Sequence, residues 1–182
     1  MTGLESNLLA HHLGVLEEAG MINRSRSSGD GRRRYVHLER DALDALGPRA
    51  FRPADSALFV CTRNSARSQL AAALWHSLTK LPADSAGTHP AERVDRRAVA
   101  AARRAQLPLR ERTPKSIDAI ADRPPIIVTV CDQAHEELDA PSDWLHWSIP
   151  DPVAVGTAAA FDDTVAELRR RVEAFAVGST PQ

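Results

Sequence analysis

Eight consecutive residues combine a nucleophile with groups that bind anions: Cys61, Thr62, Arg63, Asn64, Ser65, Ala66, Arg67 and Ser68. The Cys-x5-Arg spacing can place a thiol below a tetrahedral oxyanion and the Arg67 guanidinium at its rim, where it grips two oxygens. The Ser68 hydroxyl could donate a hydrogen bond to the sulfur of Cys61. The pattern therefore predicts nucleophilic attack by a cysteine thiolate on a bound oxyanion.

The elements on either side of these residues strengthen the prediction. The apolar run 57–60 indicates a short buried strand, and 68–78 indicates a helix. Backbone N–H groups at the start of such a helix converge on one point and add partial positive charge, which favours the thiolate form of Cys61. Cys-x5-Arg alone also occurs by chance as a buried cysteine near an unrelated arginine. The strand-loop-helix setting favours the anion site instead.

The chain after the loop alternates between strand and helix patterns. Further strands are predicted at 125–130 and, more weakly, at 144–148. Further helices are predicted at 92–105, 116–121 and 158–175. Strands that alternate with helices are typical of an α/β fold with a parallel sheet covered on both faces.

The composition changes near residue 50, where two prolines and a glycine interrupt any periodicity. We therefore predict an N-terminal segment at 1–46, a linker at 47–56 and a main domain at 57–182. In the first segment, the pattern predicts a helix from Ser6 to about Ala19, stopped by Gly20. A hairpin of strands 21–26 and 33–38 and a short helix at 39–46 follow.

Charge and composition exclude several classes of protein. The 182 residues carry 23 lysines and arginines against 24 acidic residues, which excludes a nucleic-acid coat of uniformly basic character. Hydrophobic residues at 43% and charged residues at 26% are typical of a globular protein. Two cysteines cannot form a disulfide framework, and the sequence has no apolar run of membrane-spanning length. We expect a cytoplasmic protein without a membrane partner, a bound metal or a bound cofactor.

Three motifs together resemble the low-molecular-weight protein tyrosine phosphatase superfamily, which includes arsenate reductases of the same fold. They are the loop from Cys61 to Ser68, the segment Ser85-Ala86-Gly87-Thr88 and the pair Asp151-Pro152. The resemblance covers about residues 57–177. It implies a four-stranded parallel sheet flanked by helices, with the anion loop at the carboxyl ends of the strands.

The resemblance also implies roles for individual residues. Cys61 corresponds to the nucleophile and Arg67 to the oxyanion clamp, while Asn64 and Ser68 correspond to the residues that hold the loop and the thiolate. Asp151 corresponds to the general acid. An acid opposite the nucleophile is chemically reasonable, because the leaving oxygen must be protonated. By itself, Asp-Pro is an ordinary turn dipeptide.

Three features favour arsenate reduction over phosphatase activity. Related phosphatases commonly have a tyrosine after Asp-Pro and a second cysteine within the loop, where this sequence has Val153 and Ala66. The segment around Cys131 resembles the one that bears the resolving cysteine of the reductases, although a small buried hydrophobic residue is the alternative. Thioredoxin-linked reductases have a third cysteine shortly afterwards, and this sequence has Glu136, Glu137 and Leu138 there. We therefore expect an external thiol or redoxin as reductant, with a tyrosine phosphatase as the alternative.

The N-terminal segment resembles the recognition helix and wing of the arsenic-responsive repressor family, a winged helix-turn-helix, but only in the second half of that motif. Six arginines lie between residues 20 and 40, against two acidic residues. The resemblance implies a DNA-binding regulator with an oxyanion-sensing domain as a further alternative. A homodimer is an assembly that the sequence leaves open. The candidate DNA contacts are Asn7, His11, His12, Arg24, Arg26, Arg32, Arg33 and Arg34.

Overall fold

The structure is a computed structural model that describes residues 6–39, 56–109, 113–141 and 143–176. The chain divides into two compact units. The first contains the described residues as far as Ser27 and those from Gly31 to Glu39, and the second contains Ser28–Asp30 and the described residues from Ser56 onward. The predicted helix at 39–46 and linker at 47–56 lie almost entirely outside the described residues, so both remain predictions.

The first unit consists of a helix and an antiparallel hairpin: α1 at Ser6–Glu18, β1 at Ile22–Arg26 and β2 at Arg34–Leu38. The register runs from Ile22 opposite Leu38 to Arg26 opposite Arg34. Helix α1 ends where Gly20 adopts a left-handed φ of +69° and the N–H of Met21 donates to the carbonyl of Leu16. This is the ordinary way in which a glycine ends a helix.

The second unit alternates strands and helices, with one 3₁₀ turn at Ile117–Ala119. Its strands are β3 at Ala57–Cys61, β4 at Ala83–Gly87, β5 at Ile126–Thr129 and β6 at Leu145–His146. Its helices are α2 at Arg67–Thr79, α3 at Arg96–Arg104, α4 at Asp132–Glu137, α5 at Pro152–Val155 and α6 at Ala158–Ala176.

The four strands form a parallel sheet in the order β4-β3-β5-β6. All five residues of β3 are buried, and since successive side chains point to opposite faces, both faces of the sheet are covered at its centre. The predicted α/β fold with a four-stranded parallel sheet is therefore confirmed. Parallel pairing also puts the ends of β3 and β5, and hence Cys61 and Cys131, at the same edge.

A cluster of aromatic rings holds α2 and α6 against the sheet. The ring of Trp75 lies 5.9 Å from that of Phe59 and 5.7 Å from that of Phe175, measured between centroids. Trp147 packs on Phe59 from the segment after β6, at 5.7 Å. Burying each such side chain contributes on the order of 2–3 kcal/mol. This cluster fixes the helix that begins at the anion loop.

Several local predictions differ from the structure. The predicted helix at 116–121 is a 3₁₀ turn at Ile117–Ala119, the predicted strand at 144–148 is reduced to Leu145–His146, and the short helices α4 and α5 were not predicted. Helix α3 begins at Arg96 rather than at Glu92, because the carboxylate of Asp95 accepts a hydrogen bond from the N–H of Arg97 at 2.8 Å and so caps the helix. Strand β4 has no strand-like pattern in the sequence; it forms because it pairs with β3 from Ala83 to Gly87. Within the described ranges, no helix has the length and apolarity needed to cross a membrane.

Candidate active site

The loop between β3 and α2 is folded around the sulfur of Cys61. The N–H of Asn64 points at Cys61 Sγ, with a nitrogen–sulfur distance of 3.2 Å, and Ser68 Oγ lies 3.1 Å from the same sulfur. Asn64 Nδ2 donates to Ser68 Oγ at 2.9 Å, which leaves the hydroxyl proton of Ser68 available for Cys61. Two donors therefore face the sulfur, and both stabilise a thiolate.

Asn64 is the residue that turns the loop. Its φ of +47° is in the left-handed region, which asparagine tolerates better than most residues. Three contacts hold it there: Gln69 Nε2 donates to its carbonyl and to its Oδ1, both at 3.2 Å, and the N–H of Lys115 donates to Oδ1 at 3.0 Å. The asparagine is completely buried, so these contacts replace the water that it would otherwise bind.

The carbonyl groups of the loop are bound on its outer side by the segment that follows β4. The carbonyls of Cys61 and Thr62 accept from the N–H groups of Thr88 and His89, at 3.2 and 2.8 Å. Further along, the carbonyls of Arg63 and Ser65 accept from Ala91 and Asp95, both at 2.9 Å. With its carbonyls directed outward, the loop presents its N–H groups inward, as an anion cradle requires.

Gly87 ends β4 directly beneath this loop, and its size matters there. A Cβ at this position would lie 2.7 Å from the carbonyl oxygen of Thr62 and 2.9 Å from the backbone nitrogen of Asn64. Both are backbone atoms of the loop and cannot move without changing the cradle. Gly87 therefore allows the two backbones to approach closely.

We expect Gly87→Ala to lower the free energy of unfolding by about 1–3 kcal/mol, because the added methyl group overpacks a rigid contact. Inorganic phosphate should also protect the variant less against thermal unfolding than it protects the parent protein. Differential scanning fluorimetry with and without phosphate measures both effects. Gly14→Ala is the matched control, since a Cβ there meets no atom within 4 Å. Equal stability and equal phosphate protection in the two variants would contradict the expectation.

Arg67 and Asp151 meet at the mouth of the cradle. The Arg67 side chain is buried and donates from Nη1 to the carbonyl of Ile149 at 3.0 Å. Its Nη2 lies 3.5 Å from Asp151 Oδ1. The Asp151 side chain is 39% exposed and accepts from the N–H of Val153 at 3.1 Å, which caps α5. A fixed guanidinium and an accessible carboxyl group thus share one entrance.

Cys131 lies behind the loop at the end of β5. The residue is buried, and its Sγ is 3.4 Å from Thr62 Oγ1. Burial raises the pKa of the Cys131 thiol, and the nearby charge of Cys61 raises it further. Any reaction that uses the Cys131 thiolate should therefore accelerate as the pH rises. Both cysteines are reduced thiols in the structure.

The structure brings the predicted site residues of the second unit into one region. Of the loop, Thr62, Asn64, Ala66 and Ser68 are buried, Ser65 is half-buried, and Arg63 is exposed. Sequence reasoning missed Gln69 and the backbone groups of Lys115 and Ile149 as partners of the site. Their residue types carry no signal, because two of the three act through the main chain. Among the described residues, no group of three metal-binding side chains is present.

The residues predicted to contact DNA all lie in the first unit. His11, His12, Arg26, Arg32, Arg33 and Arg34 are exposed there. Arg24 is half-buried and donates from Nε to the Glu17 carboxylate at 2.8 Å, so its charge is already paired within the unit. Of Asn7, only the backbone, in α1, is described.

Comparison with known proteins identifies the class to which this fold and cradle belong. A sequence profile of the low molecular weight phosphotyrosine protein phosphatase family matches residues 56–180, and the chain therefore belongs to this family. The resemblance stated above for the second unit is confirmed. The comparison does not extend to the first unit. Among curated proteins, no significant match was found.

Solved structures with the same fold include arsenate reductases and tyrosine phosphatases. An arsenate reductase from Archaeoglobus fulgidus is 31% identical over 64% of this chain and 95% of its own, with a TM-score of 0.55. A low molecular weight protein tyrosine phosphatase from Bacillus subtilis is 18% identical over 68% of this chain and 95% of its own, with a TM-score of 0.59. The Erwinia amylovora tyrosine phosphatase AmsI is 20% identical over 71% of this chain and 95% of its own, with a TM-score of 0.60. The protein is thus an enzyme of a family that spans arsenate reduction and phosphate-ester hydrolysis.

Proposed function

We propose that the protein is an arsenate reductase. The observation that carries the proposal is the second thiol, Cys131, which lies buried at the same sheet edge as Cys61 and touches the anion loop through Thr62. A phosphatase has no use for a thiol there, whereas a reductase can use one to displace arsenite within the chain. The similarity to the Archaeoglobus fulgidus arsenate reductase supports the same choice.

The first step is substitution at arsenic without a change of oxidation state. Arsenate binds to the N–H groups of the loop and to Arg67. The Cys61 thiolate then attacks arsenic, an S–As bond forms, and one As–O bond breaks. The departing hydroxide takes a proton from the carboxyl group of Asp151 and leaves as water. Asp151 stands beside Arg67 at 3.5 Å, which is where the departing oxygen needs its proton.

The second step transfers electrons. The Cys131 thiolate attacks Cys61 Sγ, a disulfide forms, and the S–As bond breaks with its electron pair remaining on arsenic. Arsenic passes from the +5 to the +3 state and leaves as arsenite, while two thiols are oxidised to one disulfide. The hydroxyl of Thr62, 3.4 Å from Cys131 Sγ, can stabilise the attacking thiolate against the cost of burial.

The third step requires a reductant from outside the chain. Cys61 and Cys131 are the two cysteines of the sequence, so no third thiol is present to relay the disulfide to the surface. We therefore propose that a small thiol or a redoxin reduces the Cys61–Cys131 disulfide by thiol–disulfide exchange. Alternatively, such a thiol attacks the Cys61–arsenic adduct directly, which releases arsenite and leaves a mixed disulfide for a second thiol to reduce.

Phosphatase activity is the second candidate for the same site. The attack by Cys61, the clamp by Arg67 and the acid Asp151 serve a phosphate ester equally well, with water then hydrolysing the phosphocysteine. Against it, Val153 and Val155 follow Asp151 in α5, and Val155 is 62% exposed. Neither offers an aromatic face on which the ring of an aryl phosphate could stack.

The two activities are separated by measuring both on one preparation. We expect arsenite release that depends on glutathione, dithiothreitol or a reduced redoxin, together with slow hydrolysis of p-nitrophenyl phosphate. Rapid hydrolysis of the ester without arsenite from any of the three reductants would establish the phosphatase and contradict the proposal.

Replacement of Cys131 tests the disulfide step. In a single turnover without added thiol, we expect Cys131→Ser to release arsenite about a hundredfold more slowly than the parent, because the attacking thiolate is missing. Intact-mass analysis should find a loss of two hydrogen atoms, the mark of a Cys61–Cys131 disulfide, in the parent alone. Ester hydrolysis should be unchanged in the variant, which controls for folding of the loop. Arsenite release at the parent rate from Cys131→Ser would eliminate the intramolecular route.

DNA binding by the first unit is a further candidate activity, and it rests on charge. Exposed arginines, among them Arg26 and Arg34, lie where β1 and β2 meet the turn of the hairpin, as in a hairpin that contacts phosphates. Binding of the full chain to a duplex should weaken steeply with salt if these residues contact the backbone. An affinity that replacement of Arg32, Arg33 and Arg34 by alanine leaves unchanged would contradict this assignment.

A further inference from the structure

A network of hydrogen bonds joins β5, α4 and β6 beside the candidate active site, and the proposed chemistry uses none of its side chains. Its members are Thr129, Asp132, His135, His146 and Ser148. Thr129 is completely buried, and Asp132 is 3% exposed. The two imidazole rings stack with their centroids 4.2 Å apart. A buried polar network of this extent needs every member satisfied.

The direction of each hydrogen bond follows from what the groups can donate. His146 Nε2 lies 3.1 Å from Asp132 Oδ1, and since a carboxylate only accepts, Nε2 carries the hydrogen. In the neutral ring, Nδ1 is then an acceptor, and it lies 2.9 Å from Thr129 Oγ1. The single hydroxyl proton of Thr129 also faces the carbonyl of Leu145 at 3.3 Å, and the shorter distance favours donation to His146 Nδ1. His135 Nδ1, also 2.9 Å from Thr129 Oγ1, donates to a lone pair of this oxygen. His146 is therefore fixed at both ends of its ring.

Asp132 depends on these donors. Burial raises the pKa of its carboxyl group, but hydrogen bonds from His146, from Ser148 and from the backbone N–H of Ser28 at 2.8 Å together outweigh burial and lower the pKa to about 2. Asp132 is consequently charged at neutral pH, and a buried charge that loses a donor becomes costly. Asp132 directly follows Cys131 in the chain and is the first residue of α4.

Ser148 connects the network to the candidate acid. It precedes Ile149, whose carbonyl binds Arg67 at 3.0 Å, and the same short segment ends at Asp151, 3.5 Å from Arg67. Strand β6, which leads into this segment, has only two residues. The segment 148–151 is thus held by Arg67 on one side and by Asp132 on the other.

We propose that His146 is a positioning residue that, by bridging Thr129 and Asp132, keeps Asp132 in reach of Ser148 and so fixes Asp151 over the bound oxyanion. The inference rests on the proposed role of Asp151 as general acid, which arsenate reduction and ester hydrolysis share. His146 touches neither substrate nor nucleophile in this scheme. Its effect on the reaction passes entirely through Asp132, Ser148 and Asp151.

Two conservative replacements test the contacts of the two ring nitrogens of His146 separately. In His146→Gln the amide nitrogen takes the place of Nε2 and still donates to Asp132. In His146→Asn the amide takes the place of Nδ1 and reaches only Thr129. We expect His146→Asn to lower kcat about tenfold with KM for arsenate changed less than about twofold, and His146→Gln to lower kcat less than about threefold. His76→Asn is the control, an exposed histidine whose Nδ1 contacts the carbonyl of Leu81 at 3.2 Å.

A double-mutant cycle then asks whether His146 acts through the acid. In an Asp151→Asn background, adding His146→Asn should lower kcat by less than about twofold more, since no acid remains to be positioned. An equal loss in both backgrounds would overturn the inference, and so would a His146→Gln variant as slow as His146→Asn. If His146→Asn fails to fold, Ser148→Ala carries the same cycle, because it removes the other side-chain donor to Asp132.

Failure of this inference and failure of the proposed function give different results. If no variant and no parent protein releases arsenite, the reductase proposal fails, and the same cycle is then measured on p-nitrophenyl phosphate. Non-additivity of His146 and Asp151 in whichever activity is present supports the positioning role. Additivity in that activity overturns it.

Discussion

Cys61→Ser is expected to abolish both arsenite release and ester hydrolysis, by at least about ten-thousandfold in kcat. The serine hydroxyl is far less acidic than a thiol, and the two donors that face the sulfur, the N–H of Asn64 and the hydroxyl of Ser68, cannot ionise it. The replacement is close to isosteric, so oxyanion binding should survive. Phosphate should therefore raise the melting temperature of the variant as much as that of the parent.

The readout separates loss of chemistry from loss of structure. Arsenite is quantified over long incubation with excess thiol, and phosphate protection is measured by calorimetry on the same samples. Cys131→Ser is the matched control, because it makes the same change at a thiol that ester hydrolysis does not use. Retention of a tenth or more of either activity by Cys61→Ser would remove Cys61 from the role of nucleophile.

Arg67→Lys is expected to lower kcat/KM for arsenate about a thousandfold, although it conserves the charge. Arginine offers a planar fork that binds two oxygens of the anion while its other amino group binds the carbonyl of Ile149 at 3.0 Å. An ammonium group cannot do both, and its shorter reach leaves the Ile149 carbonyl or the anion without a partner. Loss of one donor to an oxyanion commonly costs a hundredfold to a thousandfold.

Arg103→Lys, on the exposed side of α3, is the control for a general effect of the substitution and should leave kcat/KM unchanged. The loss in Arg67→Lys should appear for arsenate and for p-nitrophenyl phosphate alike, because both place their oxygens in the same cradle. Activity within about tenfold of the parent would show that charge alone, without the fork, suffices at this position.

The fold was predictable where the sequence carries continuous apolar runs. Residues 57–60 and 125–130 indicate buried strands, and their parallel pairing explains why Cys61 and Cys131 share an edge. The anion loop was predictable because its chemistry depends on residue types at a fixed spacing. Its family was predictable for the same reason.

The remaining features could not be predicted, because they depend on partners that are distant in the sequence. Strand β4 contains Asp84, Ser85 and Gly87, which have low strand propensity, and it is a strand only through its pairing with β3. The amide that orients Asn64 comes from Lys115, 51 positions away, and acts through its backbone. No residue type at 115 would signal that contact. Likewise, the paired acid Asp132 is ordinary in the sequence and acquires its role only beside His146.

The segment after β4 binds the loop carbonyls through its backbone, which decides where side chains near the active site can vary. Thr88, His89, Ala91 and Asp95 hold the loop by their backbone N–H groups, so the contact is indifferent to most of their side chains. Mutation of Thr88, His89 or Ala91 can therefore change charge and shape along this rim while the cradle keeps its form. Proline is an exception because it lacks the N–H, and Asp95 is another because its carboxylate caps α3. The rim is thus free to diverge with substrate or reductant, and an engineer can redesign it without rebuilding the catalytic loop.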